Sequence, residues 1–234
     1  MTGHADKSEQ KDQNTPGNRE TPIPTPWTEF TQAADLTFRH KVGVIAKRGT
    51  REAEVGRDIA LHAAGLGIPT LLYTANPPSD PPAHLVVDRT PHPTAAHLSD
   101  RMKYPPRGQR PQLVVVDAYE RLRPEEHHAP DQYDPIDDLD YVPLTEAEQL
   151  LWSVRDIRVD VPLLLTTTIA TQPDLSQPID QWLSHDHPAI ALTEVCKPVI
   201  LLHRASPQAV EARMEINPNA SHNGQRVMLD WPTC

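Results

Sequence analysis

The chain has 234 residues, enough for one α/β domain with tails or for two small domains. Its formal net charge is −10, and it contains 26 prolines, 9 glycines and two cysteines. Two cysteines supply neither a disulfide framework nor a cysteine-based zinc site. No apolar run approaches the roughly 18 residues of a membrane span, and the N-terminus lacks the apolar core of a signal peptide. We therefore expect a soluble, cytoplasmic protein that does not contact membranes.

Acidic and basic residues are segregated along the chain. Residues 124–160 hold eleven acidic side chains against Arg155 and Arg158, whereas residues 101–123 are predominantly basic. The overall acidity argues against non-specific nucleic-acid binding, but a local basic surface remains. The candidate contacts to nucleic acid or to a partner on this surface are Arg101, Lys103, Arg107 and Arg110. A solvated arginine-rich surface is the simpler interpretation of the same residues.

The first elements follow the polar N-terminus. Residues 1–22 lack an apolar period and are predicted to be a disordered tail before a single domain over 23–234. Apolar runs predict strands over 41–46 and 68–74, with a helix over about 53–65 between them. Val55, Ile59 and Ala63 share one face of that helix, which is expected to pack on a sheet.

The middle of the chain is rich in proline. A short strand is predicted over 84–88 and a helix over about 94–103. The apolar run at 112–117 is typical of a central parallel strand that is buried on both faces. Residues 123–143 are predicted to form a long acidic loop.

The last third begins with a helix predicted over 145–158, because Thr145 and Glu148 form a capping-box pattern. The remaining apolar runs are predicted as strands over 161–168, 189–195, 198–204, 211–217 and 225–231. The last two of these are expected to pair as an antiparallel hairpin. The alternation of strands and helices therefore predicts an α/β fold with a doubly wound, mostly parallel sheet that ends in this hairpin.

The order of six segments resembles the C-terminal, RecA-like ATPase domain of the DnaB-type replicative DNA helicases. The segments are IPTPWTEF (23–30), VGVIAKRG (42–49), DIALHAAGLGIPTLLYT (58–74), QLVVVDAYERL (112–122), EAEQLLWSVRDIRVDVPLLLTTT (146–168) and ALTEVCKPVILLHR (191–204). The terminal hairpin also resembles that of the family. The resemblance implies a RecA-like sheet and a nucleotide pocket at its carboxyl edge.

At the phosphate loop this chain departs from the family pattern. Such a loop needs glycines for close backbone approach, a lysine for the phosphates and a hydroxyl for Mg²⁺. The corresponding segment is KRGTREAEV (47–55), where the second glycine, the lysine and the Ser/Thr are replaced by Arg51, Glu52 and Ala53. A glutamate at the lysine position repels triphosphate. The available stand-ins are Arg48 or Arg51 for the cation and Thr50 for the hydroxyl.

Most other positions that the resemblance marks as functional are also changed. Asn76 replaces the catalytic carboxylate, and an amide is not a general base for water. Thr168 replaces the sensor glutamine, and Asn217 and Asn219 replace the basic finger residues. Only Asp117 of the Walker B strand remains. The resemblance thus implies a vestigial pocket without catalytic residues, for which ATP and Mg²⁺ are not expected; it comprises Arg48, Gly49, Thr50, Arg51, Glu52, Asn76, Asp117 and Thr168.

Three functional hypotheses remain open at this point. The first is a non-catalytic, DnaB-like pseudo-ATPase that acts as a binding or scaffold module in DNA replication or recombination, with a protein partner or DNA. The second is a divergent ATP-binding helicase-type ATPase. The third is a small-ligand sensor that uses the polar cleft. The sequence leaves the oligomeric state open.

Other candidate sites have simpler interpretations. The acidic run at 131–140 lacks the glycine and the terminal glutamate of a calcium loop, so a solvated loop is expected. The histidine pairs 127–128 and 185/187 are interpreted as exposed loop residues, so that no metal site is predicted. The hydroxyls of Thr166, Thr167 and Thr168 are expected to bond local backbone at a strand end rather than a ligand.

Overall fold

The computed structural model describes residues 22–34, 36, 40–106, 108–123, 145–157, 160–184, 187–206, 209–214 and 224–230. Its strands are β1 (Lys41–Lys47), β2 (Thr70–Tyr73), β3 (Leu85–Asp88), β4 (Leu113–Val116), β5 (Leu163–Ile169), β6 (Val199–Arg204), β7 (Ala209–Met214) and β8 (Arg226–Asp230). Its α-helices are α1 (Thr28–Ala34), α2 (Val55–Gly65), α3 (Ala95–Lys103), α4 (Glu146–Asp156), α5 (Ile179–Trp182) and α6 (Pro188–Val195). Short 3₁₀ helices span Arg51–Glu54 and Tyr119–Arg121. The predicted tail up to residue 21 and the predicted acidic loop from residue 124 onward lie outside the described residues.

The described strands form one sheet in the order β3-β2-β4-β5-β1-β6-β7-β8. Pairing is parallel from β3 to β6 and antiparallel from β6 to β8. Strands β4, β5 and β1 lie in the middle of the parallel part, where nearly all of their residues are buried, on both faces of the sheet. The predicted mostly parallel sheet with a C-terminal antiparallel hairpin is confirmed.

Helices cover both faces of the sheet, as expected for a doubly wound fold. On one face, α1 and α2 pack with Val42 and Val44 of β1, and the predicted apolar face of α2 is buried there. On the other face, α3, α4 and α6 pack with Ile45 of β1 and Val114 of β4. The sheet thus separates two apolar cores, and no helix among the described residues is long and apolar enough to cross a bilayer.

The capping box that predicts the start of α4 is present. Thr145 Oγ1 accepts a hydrogen bond from the backbone N–H of Glu148 at 3.2 Å, and Glu148 Oε2 accepts one from the N–H of Thr145 at 2.7 Å. The two bonds satisfy N–H groups that have no partner within the helix. Helix α4 therefore begins where the sequence places it.

The strand predicted over 189–195 is wrong, because this segment forms α6. Pro188 occupies the first helical turn, and His187 Nδ1 accepts the N–H of Ala189 at 3.1 Å. The run is apolar throughout, and such a run does not distinguish a buried helix from a buried strand. The tertiary structure decides: α6 covers β1 at Gly43, where an added Cβ would lie 3.3 Å from Leu192 Cβ.

Helix α2 also approaches the sheet closely, and Gly56 is the contact point. An added Cβ at Gly56 would lie 2.7 Å from Thr166 Cγ2 on β5 and 3.3 Å from Val115 Cγ1 on β4. Carbon atoms do not pack at 2.7 Å, so either the helix or the strand would have to move. The position of α2 over the sheet therefore depends on a glycine in its first turn.

Gly56→Ala is expected to destabilise the protein by about 1–3 kcal/mol through overpacking, which outweighs the helix propensity of alanine. Gly65→Ala is the matched control, because Gly65 ends the same helix with no atom within 4 Å of an added Cβ. This control should be neutral or more stable by up to about 1 kcal/mol. Urea unfolding of both variants checks the prediction, and a Gly56→Ala midpoint at or above that of the wild type would contradict it.

Candidate functional site

The predicted pocket residues gather at the carboxyl edge of the parallel sheet. Arg48, Gly49 and Thr50 form the turn after β1, Asn76 follows β2, Asp117 follows β4, and Thr168 lies near the end of β5. These four strands are neighbours in the order β2-β4-β5-β1, so their carboxyl ends lie side by side. Open α/β sheets bind ligands at this edge.

Asp117 is held on both sides by threonine hydroxyls. Thr74 Oγ1 donates to its Oδ2 at 2.7 Å, and Thr166 Oγ1 donates to its Oδ1 at 3.1 Å. Thr166 Oγ1 also accepts the N–H of Ala118 at 3.2 Å, and the N–H of Asp117 donates to the carbonyl of Tyr73 at 2.9 Å. The carboxylate therefore links the ends of β2, β4 and β5.

The backbone directly after Asp117 adopts an unusual conformation. Ala118 has φ 62° and ψ 70°, in the left-handed region that costs a side-chain-bearing residue roughly 1–2 kcal/mol. The bond from its N–H to Thr166 compensates for part of this cost. The turn leads into the 3₁₀ helix Tyr119–Arg121, which places Glu120 beside β5.

The turn that corresponds to a phosphate loop is bonded within itself. The N–H of Arg48 donates to the carbonyl of Ile169 at 2.8 Å, and the N–H of Ala53 donates to the carbonyl of Thr50 at 3.1 Å. Thr50 Oγ1 donates to the carbonyl of Lys47 at 2.7 Å. A bound phosphate would require backbone N–H donors of this turn, and a metal ion would require the hydroxyl of Thr50. Both kinds of group are bonded within the protein.

The guanidinium of Arg51 is engaged by carboxylates of its own helical segment. It pairs with Glu54, and its Nη2 lies 2.9 Å from Asp58 Oδ2. Burial raises the pKa of Asp58, and the adjacent Arg51 acts against that rise. Arg51 therefore stabilises the start of α2.

Glu120 is the second carboxylate at this edge, and the family resemblance did not mark it. Thr167 Oγ1 donates to its Oε2 at 2.9 Å. Burial raises the pKa of Glu120, the charge of Asp117 adds to the rise, and the hydrogen bond from Thr167 and the charge of Arg48 oppose it. Arg48 itself reaches Thr168, with 3.5 Å between Nε and Oγ1.

These contacts correct the expectation for the strand-end threonines. Thr166 and Thr167 donate to Asp117 and Glu120 rather than to local backbone. The partners are 49 and 47 residues away in sequence, so no local pattern marks them. The sequence does not mark Thr74 or Glu120 for the same reason, because their partners Asp117 and Thr167 are 43 and 47 residues away.

Other predicted site residues are not brought into this network. Asn76 is exposed, and its N–H donates to Thr74 Oγ1 at 3.1 Å. The side chain of Glu52 lies outside the described part of the chain, as do Asn217, Asn219 and the histidines at 127, 128 and 185. The described residues contain no group of three or more His, Cys, Asp or Glu side chains arranged to hold a metal ion.

The predicted basic contact surface is partly neutralised. Arg101 Nε lies 2.9 Å from Asp88 Oδ2, and Arg110 pairs with Asp160. Lys103 is exposed at the end of α3, and Arg107 lies outside the described residues. The segment therefore offers less free positive charge than its composition indicates.

Comparison with solved structures finds the same fold in a DnaB-like replicative helicase and in an ATPase domain. One match, described as a DnaB-like replicative helicase and its interactions with primase, has a TM-score of 0.66 at 12% identity, covering 90% of this chain and 61% of that one. A second match, described as an ATPase domain, has a TM-score of 0.67 at 12% identity, covering 93% of this chain and 90% of that one. No protein-family model matches the sequence. No curated protein matches it either.

The chain therefore has the RecA-like fold of DnaB-type helicase ATPase domains. It corresponds to about three fifths of the helicase chain that was described with primase and to most of the second, shorter ATPase domain. At 12% identity the likeness establishes the architecture, while the chemistry of the site has to be argued from the side chains present here.

Thr166→Val is expected to destabilise the protein by about 1–3 kcal/mol, because it keeps the shape of the side chain but removes the hydroxyl that bonds Oδ1 of Asp117 and the N–H of Ala118. Thr168→Val is the matched control. Its hydroxyl makes only the 3.5 Å contact with Arg48, so a change below about 0.5 kcal/mol is expected. Urea unfolding measures both variants, and equal effects would argue against a structural role for the Asp117 network.

Glu120→Gln is expected to stabilise the protein at neutral pH, since Gln keeps an acceptor for Thr167 without a buried charge. Because the pKa of Glu120 is raised in the folded state, the folded state binds a proton more readily than the unfolded chain does. The wild type should lose stability relative to the variant as pH rises from about 4.3 through the raised pKa, and the difference should then stay constant.

Urea unfolding of wild type and Glu120→Gln between about pH 4 and pH 8 tests this pH dependence. Glu194→Gln is the control, because it makes the same chemical change at an exposed position on α6. A stability difference for Glu120→Gln that does not change with pH would contradict the prediction.

Proposed function

We propose that this protein is a non-catalytic member of the RecA-like fold, a pseudo-ATPase that acts by binding a protein partner in DNA replication or recombination. The observation that carries the proposal is the hydrogen bonding of the Asp117 carboxylate. Both of its carboxylate oxygens accept hydroxyl hydrogen bonds from Thr74 and Thr166. A carboxylate used in this way joins three strands and has a structural role without metal.

The loop after β1 supports the same proposal. Arg51 is next to Glu52, which occupies the position of the phosphate-loop lysine. Its guanidinium forms ion pairs with Glu54 and Asp58. The N–H groups of Arg48 and Ala53 donate to carbonyls of the protein. A triphosphate would have to break these bonds before it could be held by backbone N–H groups, as phosphate loops require.

A protein is favoured over DNA as the partner. Arg101 and Arg110 of the basic segment are paired with Asp88 and Asp160, which lowers the phosphate-binding capacity of that surface. The DnaB-like helicase of the same fold is described with its interactions with primase. That helicase's interaction with another protein supports the same kind of role for this chain.

A divergent ATP-binding protein is the second candidate. Gly49 supports it, because this residue keeps a positive φ of 75° and has no atom within 4 Å of an added Cβ. The turn after β1 therefore retains an approachable backbone at one position. Arg48, which contacts Thr168 across the cleft, would supply the cation.

Calorimetric titration of Mg·ATP and Mg·ADP into the purified protein separates the two candidates. We expect no heat of binding and no thermal stabilisation at millimolar nucleotide. The companion variant Glu52→Lys/Ala53→Thr restores two residue types of a phosphate loop and shows whether those two changes suffice to restore affinity. Micromolar affinity of the unmodified protein, or ATP hydrolysis that Asp117→Ala abolishes, would overturn the proposal in favour of an ATPase.

A further inference from the structure

Strand β3 is an edge of the sheet with backbone groups that face outward. Its pairing with β2 places Leu72 opposite Val87, and Thr74 N–H donates to the carbonyl of Asp88 at 3.2 Å. In a parallel pair of this register, Val86 and Asp88 turn their N–H and C=O groups toward β2, whereas Val87 turns both of its groups away. No strand among the described residues lies on that outer side.

A continuous groove runs beside this edge. Two adjoining cavities share Val86, Arg101 and Pro106 in their walls. The first is largely apolar, with a lining that includes Pro69, Leu71, Pro105 and Pro111. The second is an open space of about 540 Å³ along Val86 to Thr90. The groove therefore joins an apolar pocket to the unpaired backbone of β3.

The rim of the groove is positively charged. Arg89 lines the second cavity, is exposed and has no ion-pair partner among the described residues. The carboxylate of Asp88 is buried under Arg101 and His97, and it also accepts the N–H of Thr90 at 2.8 Å. The one acidic side chain in the described groove wall is thus already neutralised, and the free charges there are cationic.

We propose that β3 and this groove bind an extended acidic segment of a protein partner, which adds to the sheet as a further strand beside β3. The inference rests on the proposed function, since it names the surface through which a non-catalytic protein would bind its partner. Backbone bonds to Val87 supply the affinity of strand addition, and side-chain pockets supply the selectivity. The positive charge of Arg89 favours glutamate or aspartate on the incoming strand.

The dimensions of the edge limit the ligand. Four residues of β3 span roughly 13 Å at 3.3 Å per residue, which matches a segment of about four to six residues. Alternate side chains of such a segment point to opposite faces of the sheet. One set then faces the apolar pocket beside Val86, so an alternation of acidic and aliphatic residues fits the site.

A fluorescein-labelled hexapeptide of alternating glutamate and valine is the probe for the test. Its binding to the full chain is followed by fluorescence anisotropy, together with hydrogen exchange of the Val87 amide. The comparison peptides are the lysine–valine counterpart and the acidic peptide with alternate amides N-methylated. The protein variants are Arg89→Glu, Val87→Pro, and the charge-reversal control Lys197→Glu, an exposed site on the far side of the sheet near β6.

We expect the acidic peptide to bind the wild type, to slow exchange of the Val87 amide and to bind Lys197→Glu equally well. Arg89→Glu should weaken binding by about tenfold or more. Val87→Pro should abolish it, because proline removes the outward N–H at a position where an edge strand tolerates proline. The N-methylated peptide lacks the backbone N–H groups that would bond to Val87, so it should not bind. It replaces the Val87→Pro test if that variant does not fold.

Several results would overturn the proposal. They are the absence of binding at millimolar acidic peptide, equal binding of the lysine–valine peptide, or binding that leaves exchange at Val87 unchanged. Displacement of the peptide by single-stranded DNA would reassign the groove to nucleic acid. The Mg·ATP titration on the same samples separates the two claims, because nucleotide binding overturns the proposed function whether or not the peptide binds.

Discussion

The close contact between α2 and β5 at Gly56 and Thr166 determines much of the rest of the structure. The methyl group of Thr166 fills the space that a side chain at Gly56 would need, so α2 can lie directly on β4 and β5. The hydroxyl of the same residue donates to Asp117 and accepts from Ala118. One side chain thus joins the packing of the helix to the polar network at the carboxyl edge. Moving the helix would disturb both.

This coupling gives the polar side chains at the carboxyl edge of the sheet a structural role. The sheet needs its strand ends held in register, and hydroxyl–carboxylate bonds across β2, β4 and β5 do this. Arg51 contributes at the start of α2 through Glu54 and Asp58. If a ligand displaced these contacts, buried polar groups would lose their hydrogen-bond partners. Each buried polar group without a partner costs about 1–3 kcal/mol of stability. A role based on an exposed surface is consistent with this arrangement.

The two ends of the sheet differ in how they meet their surroundings. Beyond β6 the antiparallel hairpin is tied to the loop before α5, where Arg213 and Arg226 donate to the carbonyl of Leu175. At the other end, β3 presents the backbone of Val87 beside a groove with a cationic rim. Proteins usually keep exposed edges short or charged, which limits unspecific pairing. Both features are present at β3, which favours a selective contact there.

The sequence by itself determined the strands of the parallel sheet, helices α2 to α4, the capping box at Thr145 and the C-terminal hairpin. These follow from local periodicity and from capping residues, which act over a few residues. It also marked Asp117 and the turn at 48–50 as neighbours at one edge. It did not determine α6, because the apolar run at 189–195 fits a buried strand as well as a buried helix. The choice depends on a tertiary contact, the close packing of this segment on β1 at Gly43. Nor did it show that Thr74, Thr166 and Asp117 bond one another, since 43 and 49 residues separate the threonines from the carboxylate. Only the parallel pairing of β2, β4 and β5 brings these atoms within 3.1 Å, and that pairing arises from the burial of whole strands rather than from any local pattern.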